Sequence, residues 1–507
     1  MSTITAAPGG GNWSAGATWV GGVAPTAADD VVLDATANGA TNVVIDAGAV
    51  ARSLDCTGYP GILTHTAGVA LTLGDATAGA GSVALKMVAG MTYTLGSATT
   101  STVAFVSTSA TQQSITTGGK TLGNWTINAP GGSYILGDAN TVGTTSTVTV
   151  TAGTFNTGTF GCSWGNFASS NTNTRSLIFG TAAITLTGGG GTFDVLTTTG
   201  LTLSALSSTI NMPANGYFKA LGSYGTVTWL ALGPNGQSQP FTCVNLTIVG
   251  GSAKTGDFNT AGNITITGTL TLAGNSAVNR IKVHSSLPGN PRSLIAANVA
   301  VSSTDFLDIA GAGAGNWDLS AATGGVGNCG GNTGIIFTPA ATQTHVAGAG
   351  GNWSDAAQWT SRVPLPQDDV VVDVNTTGTL VADMPRLGRS IDFTGFAGTA
   401  AFTSQITQMF GSLILDAAMT ITGTFALSLS GRGSHTVTSN GKTLTQPLTV
   451  NAPAMGTYTL RDALTTAGAL TLTLGTLATA GHPVGYLSLV VTGGVLRAGA
   501  GPFAAFF

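Results

Sequence analysis

One motif occurs twice in the chain, more than 300 residues apart. The first copy, GGGNWSAGATWVGGVAPTAADDVVLD, begins at Gly9, and the second, GGNWSDAAQWTSRVPLPQDDVVVD, begins at Gly350. Both contain two Trp, a Pro and an Asp pair in the same order, and their first Trp residues lie 340 positions apart (353 − 13 = 340). Because self-similarity of this kind is typical of repeat architectures, we interpret the chain as two related modules in tandem.

Later landmarks of the two copies keep the same order. Arg52 corresponds to Arg389 (389 − 52 = 337), and Lys120 corresponds to Lys442 (442 − 120 = 322). The second copy is therefore shorter by about 15 residues between these landmarks (337 − 322 = 15). We predict one module over residues 1–340, which closes with the segment GGNTGIIF. A second over residues 341–507 is an incomplete copy without that closing segment.

Between the landmarks, short runs alternate Thr with Val, Ile or Leu. Examples are ITITGTLTL at 264–272 and LTLTL at 470–474, and each run is bounded by turn-forming residues. This pattern predicts an all-β fold and favours a β-solenoid, in which stacked coils bury inward Val, Leu and Ile while Thr and Ser face outward. A string of tandem β-sandwiches is the alternative, since it also has short, regularly spaced strands. Separate sandwiches would need linkers rich in Pro or polar residues between them. Such composition occurs only around 339–351, which argues against this alternative.

Composition excludes several classes of protein. Charged residues make up 7% of the 507 residues, against about 25% in ordinary proteins. The apolar content of 43% argues against disorder. With 16 Lys and Arg and a net charge of −4, the chain lacks the basic surface that nucleic-acid binding requires. No apolar run reaches the length of a membrane-spanning helix. The four Cys residues form no C-x-x-C pair, which predicts buried free thiols.

The opening GNWS-x4-W, the following Pro and DDVV-x-D, together with the closing GGNTGIIF, resemble the Gly/Thr-rich right-handed β-helix modules of phage structural proteins and bacterial cell-surface proteins. The resemblance covers most of the first module and about half of a second. It implies a fibrous or surface-displayed structural role and carries over no catalytic set. The chain starts without a secretion signal, which favours the phage members.

Two Asp pairs are weak candidates for binding Ca²⁺ through carboxylate oxygens: Asp29 with Asp30, and Asp368 with Asp369. Neighbouring residues of a strand point to opposite faces, which separates the two carboxylates of each pair. We therefore interpret these residues as turn caps before the following Val-Val strand, with calcium binding and acid/base catalysis as the alternatives.

Aromatic residues mark the start of each module and the end of the sequence. We interpret the Trp pairs Trp13/Trp19 and Trp353/Trp359 as caps over the solenoid core, with a sugar-stacking platform as the alternative. At the other end, we expect Phe503, Phe506 and Phe507 to be buried against a neighbouring subunit.

Residues 161–165, GCSWG, match the G-x-S-x-G motif of serine hydrolases. We interpret the match as chance and expect no catalytic, cofactor-binding or metal-binding residues. The predicted protein is a non-enzymatic structural component of a phage virion, a tail fibre, spike or capsid decoration assembled in the host cytoplasm. The alternatives are a bacterial adhesin at the cell surface and a polysaccharide-cleaving β-helix enzyme. Expected partners are other virion proteins, further copies of the chain with a trimer as one arrangement, and a host surface glycan.

Overall fold

The computed structural model describes residues 2–35, 41–75, 82–346, 348–404, 407–453 and 455–499. In this part the chain is nearly all β and forms a β-solenoid of about 21 turns. The chain divides into two compact units. The first contains 1–231, 235–247 and 264–269, and the second contains 232–234, 248–263 and 270–507.

The strands of the first unit are mostly three to five residues long, because Gly, Asn and Pro end each alternating run at a corner. They are Thr3–Thr5, Gly11–Asn12, Asp30–Val32, Asn42–Ile45, Ala49–Ala51, Ser53–Asp55, Ile62–His65, Ala70–Leu73, Val83–Lys86, Thr92–Leu95, Thr102–Phe105, Gln112–Thr116, Thr121–Leu122, Asn124–Leu136, Asn140–Val142, Thr147–Asn156, Cys162–Trp164, Asn166–Ala168, Arg175–Ile178, Ala183–Leu186, Thr192–Val195, Leu201–Ser204, Thr209–Met212, Tyr217–Ala220 and Gly236–Ser238.

Three longer strands contain residues of both units: Ser223–Leu232, Phe241–Gly250 and Ile264–Ala273. The strands of the second unit are Gly256–Thr260, Ile281–Ser285, Arg292–Ser302, Thr304–Leu307, Ile309–Ala312, Val326–Asn328, Thr342–Thr344, Gly348–Asn352, Asp369–Val371, Thr376–Ala382, Ile391–Asp392, Thr399–Phe402, Thr407–Met409, Leu413–Ile414, Thr420–Gly423, Leu427–Leu429, Ser434–Thr438, Thr443–Leu444, Leu448–Asn451, Thr457–Leu460, Leu464–Thr466, Ala469–Leu474, Thr476–Ala478, Val484–Gly485, Ser488–Val491 and Val495–Arg497. Each module also has one short 3-10 helix, Gly16–Thr18 and Ala356–Gln358.

Strand pairing establishes the stacking of coils. In the first unit Phe167 pairs in parallel with Phe193 (193 − 167 = 26), and Phe193 pairs with Phe218 (218 − 193 = 25). Parallel pairing at a separation of one coil is the geometry of a solenoid, whereas β-sandwiches are built from antiparallel sheets. The sequence-based prediction of a β-solenoid is therefore confirmed, and the tandem-sandwich alternative is wrong.

The core is a column of inward-facing apolar side chains. The same three aromatic residues, Phe167, Phe193 and Phe218, are completely buried and stack at centroid distances of 5.0 and 5.3 Å. Alternation of buried and half-buried residues along most strands sends every second side chain into this column. Stacking thus gives each coil an apolar surface that it could not bury alone.

Within the second unit, the last coils of module 1 and the coils of module 2 belong to separate sheets. One ladder runs through Gly256–Thr260, Ile281–Ser285, Thr304–Leu307 and Val326–Asn328. A separate eight-stranded ladder begins at Thr342–Thr344. Side chains, rather than strand pairing, therefore connect the two ladders.

Candidate functional site: the seam between the modules

The two Trp pairs have similar geometry in the first coil of each module, with interplanar angles of 74° and 57°. Their ring centroids lie 4.9 Å apart for Trp13 and Trp19 and 4.7 Å apart for Trp353 and Trp359. In both pairs the second indole donates a hydrogen bond of 2.8 Å to the carbonyl of the first Trp. All four rings are buried, so their faces cannot stack on a sugar from solvent. Their role as caps of the solenoid core stays a prediction.

The first Asp of each pair accepts hydrogen bonds from the turn before it. Oδ2 of Asp29 accepts from Thr26 N at 2.9 Å, and Oδ2 of Asp368 accepts from Leu365 N at the same distance. Both carboxylates are buried. Each therefore satisfies backbone N–H groups at the entrance of the Val-Val strand.

The second Asp of each pair lies on the opposite face and pairs with an Arg one coil later. Asp30 binds Arg52, and Asp369 binds Arg389, with an Nε to Oδ1 distance of 2.8 Å in both modules. The hydrogen bonds from Arg389 hold the pKa of Asp369 below its ordinary value. The two carboxylates of each Asp pair thus bind different partners on opposite faces of the strand. The described residues contain no group of three or more His, Cys, Asp or Glu that could hold a metal ion.

The G-x-S-x-G match lies in a strand. Ser163 is the central residue of Cys162–Trp164 and pairs with Thr141 on one side and Thr185 on the other. The serine-hydrolase motif instead places its Ser on a sharp turn between a strand and a helix. Ser163 is therefore an ordinary residue in the middle of a strand, with its side chain facing away from the core.

Ser163→Ala is accordingly expected to change the free energy of unfolding by less than about 0.5 kcal/mol, because the half-buried hydroxyl makes no side-chain hydrogen bond among the described residues. Thermal melting of the two proteins and hydrolysis of host polysaccharide by both would check this. A loss of hydrolytic activity in the variant would contradict the interpretation of the motif as chance.

The free thiols expected from the sequence are confirmed. All four are free and buried: Cys56, Cys162, Cys243 and Cys329. Burial raises the pKa of Cys329 to about 12, which keeps the thiol protonated and unreactive at neutral pH.

Side-chain ion pairs are part of the contact between the last coils of module 1 and module 2, and we call this contact the seam. At its centre the completely buried carboxylate of Asp305 binds Arg280 of its own module, with Nε to Oδ1 at 2.9 Å. On its other oxygen it binds Arg386 of module 2, with Nε to Oδ2 at 2.5 Å. Burial alone would raise the pKa of Asp305, but the two guanidinium groups lower it below its ordinary value.

Two further ion pairs cross the seam. Lys254 Nζ lies 2.6 Å from Asp383 Oδ2, and Arg432 binds the buried carboxylate of Asp308. Asp383 also caps the Trp353 coil through Ser354, as Asp46 does through Ser14 in module 1. Asp383 therefore makes the contact that is common to both modules and, in addition, the ion pair with Lys254 at the seam.

The closing segment of module 1 is shaped to receive Arg432. Gly330 and Gly331 both have positive φ, +98° and +72°, and a Cβ at either position would press on the Arg432 side chain. The two glycines thus leave room for a guanidinium group that comes from the other module.

Gly331→Ala is expected to lower the free energy of unfolding by about 2 to 4 kcal/mol, since the methyl group would meet Asp308 and Arg432 in addition to the strain of positive φ. The control is Gly441→Ala, with φ +76° and no atom within 4 Å of the added carbon, where only the backbone strain of about 1 kcal/mol remains. Urea unfolding of both variants measures the difference. Equal losses would mean that Gly331 does not accommodate Arg432.

Sequence reasoning missed the seam. The two seam arginines of module 2 have uncharged counterparts in module 1: Arg386 corresponds to Ala49 by the Arg52 offset (386 − 337 = 49). Arg432 corresponds to Thr108 by a matching hydrogen bond in each module. The hydroxyl of Tyr458 accepts from the backbone N–H of the residue before Arg432, and the hydroxyl of Tyr134 accepts from that of the residue before Thr108 (458 − 134 = 324; 432 − 324 = 108). The seam could have been found from the sequence by looking for positions that are charged in module 2 and uncharged in module 1.

The aromatic tail expected to dock, with Phe503, Phe506 and Phe507, lies outside the described residues. In the part of the chain that the structure describes, no helix is long and apolar enough to cross a membrane. No protein-family model, curated protein or solved structure matches the chain.

Proposed function

We propose that this chain is a non-enzymatic structural protein of a bacteriophage virion, a tail fibre, spike or capsid-decorating appendage. The observation that carries the structural role is the use of scarce charge. In the part of the chain that the structure describes, eight of the 16 Lys and Arg form ion pairs with Asp. Arg362 pairs within its own coil, and seven link coil to coil or module to module: Arg52, Lys254, Arg280, Lys282, Arg386, Arg389 and Arg432. Fixed ion pairs of this kind suit a rigid scaffold.

The assignment to a phage particle is supported by the resemblance of the opening and closing motifs to phage β-helix modules. In the particle the mechanism is mechanical: stacked coils hold their corners at fixed spacing and present them to partners. Other virion proteins and further copies of the chain are the proposed partners.

Mass spectrometry of purified virions, together with labelling of intact particles by an antibody to the chain, tests the proposal. We expect the protein at a fixed number of copies per particle and accessible on its surface. Recovery of the protein only from the envelope fraction of uninfected bacteria would instead support an adhesin at the cell surface.

Self-association is supported by the last described coil. Strand Ser488–Val491 is the terminal strand of its five-stranded sheet, and all four of its residues are exposed. Leu487 and Val491 are 67% and 54% exposed, which makes an apolar patch beside a strand edge that pairs with no further strand of the described residues.

Val491→Asp is expected to reduce self-association at least tenfold and to leave the melting temperature nearly unchanged, because the side chain is exposed. Light scattering of the unmodified and variant proteins over a range of concentrations measures this. A variant that associates as strongly as the original chain would rule out this strand as the contact.

A further inference from the structure

A cleft of about 360 Å³ opens at the seam, where the closing turn of module 1 meets module 2. The residues along it include Asn328, Gln367, Arg389, Phe410, Arg432 and His435. Its volume is at the lower end of the range of about 300 to 1,000 Å³ for small-molecule sites. That size suits one sugar ring better than a polymer.

Two arginines supply hydrogen-bond donors to the cleft. Arg432 uses one terminal nitrogen for Asp308, while its Nε is buried and has no hydrogen-bond partner among the described residues. Arg389 uses Nε and one terminal nitrogen for Asp369, and its side chain is 51% exposed. A guanidinium group carries five N–H donors in a planar fork, so each arginine can bind its Asp and a second acceptor.

His435 supplies the opposite kind of group. Its Nε2 lies 2.7 Å from the carbonyl oxygen of Arg432. Because a carbonyl oxygen only accepts hydrogen bonds, Nε2 carries the hydrogen and Nδ1 of the neutral ring is an acceptor. Phe410 adds an apolar wall to the same cleft. The cleft therefore offers charged donors, one acceptor and an apolar surface.

We propose that this cleft binds an acidic monosaccharide of the hexuronic acid class. The sugar carboxylate binds between Arg389 and Arg432, since guanidinium and carboxylate groups match in geometry and charge. A sugar hydroxyl donates to His435 Nδ1, and the apolar face of the ring packs beside Phe410. This inference goes beyond the structural role and does not depend on where in a particle the protein sits.

Titration of the full chain with sodium glucuronate, glucose and sodium sulfate at matched ionic strength tests the proposal, with calorimetry or ligand-observed NMR as the readout. We expect saturable glucuronate binding, one per chain, and at least tenfold weaker binding of glucose. Equal binding of glucose, or no saturation with glucuronate, overturns the proposal. Sulfate binding as tight as glucuronate binding also overturns it, because the site would then recognise a simple oxyanion.

Arg389→Gln is the decisive variant, since the side chain is half-exposed and its loss leaves the buried seam intact. We expect at least tenfold weaker glucuronate binding with little change in melting temperature. Arg52→Gln is the matched control, because it removes the corresponding Asp–Arg pair of module 1 away from the cleft. Glucuronate binding that is the same in both variants and in the unmodified chain places the ligand elsewhere and contradicts the proposal.

Discussion

Asp305→Asn is expected to lower the free energy of unfolding by about 3 to 5 kcal/mol, because it leaves two buried guanidinium groups without their carboxylate. The side chains of Arg280, Arg386 and Asp305 are 3%, 6% and 1% exposed, so water cannot replace the lost partner. Urea unfolding monitored by circular dichroism measures the change. Hydrogen exchange should show the loss concentrated in the strands beside the seam.

Asp369→Asn is the matched control for this experiment. It removes an equivalent Asp–Arg pair from the same unit, but one whose partners are 34% and 51% exposed. Exposed ion pairs contribute about 0 to 1 kcal/mol, so we expect a small effect. Losses of similar size in the two variants would contradict the view that the buried pair at the seam holds the modules together.

The sign of the pH dependence follows from the lowered pKa of Asp305. A carboxyl group with a lower pKa in the folded chain than in the unfolded chain stabilises the fold while it is ionised. This stabilisation is fully present above the ordinary value of 3.8 and is lost as the pH falls through the folded-state pKa. The unmodified chain should therefore lose the advantage over Asp305→Asn in acid.

Phe193→Ala is expected to cost about 3 to 5 kcal/mol, because it opens a cavity in the middle of the stacked aromatic column. The ring is completely buried and contacts Phe167 and Phe218 in the coils on either side. Since the stability of a solenoid depends on contacts between neighbouring coils, hydrogen exchange should rise most in these three coils.

The control for Phe193→Ala is Leu206→Ala, which removes a side chain that is 61% exposed. We expect it to change the free energy of unfolding by less than about 0.5 kcal/mol. If exchange in Phe193→Ala rises uniformly over the whole chain instead, the coils unfold as one block and nearest-neighbour stacking does not describe the molecule.

Fold class could be predicted from the sequence because it depends on local patterns. Alternation of Thr with Val, Ile and Leu sets the inward and outward faces, and Gly and Asn mark the corners. The opposite faces of Asp29 and Asp30 followed from the period of a strand alone. These features need only neighbouring residues, so one sequence is enough to find them.

The seam could not be predicted in the same way. Its contacts join residues far apart in sequence, such as Asp305 with Arg386, and no repeat relates the partners. Local patterns also do not show where one strand continues past a Pro. Asn124–Leu136 has 13 residues because the strand continues through Asn128, Ala129 and Pro130 with a shift in register.

The seam also sets an order on synthesis. The ion pair of Asp308 with Arg432 cannot form until Arg432 has left the ribosome, 124 residues later (432 − 308 = 124). At about 5 to 20 residues per second this is a delay of about 6 to 25 s. During that interval the carboxylate of Asp308, beside the turn at Gly330 and Gly331, lacks its ion pair with Arg432.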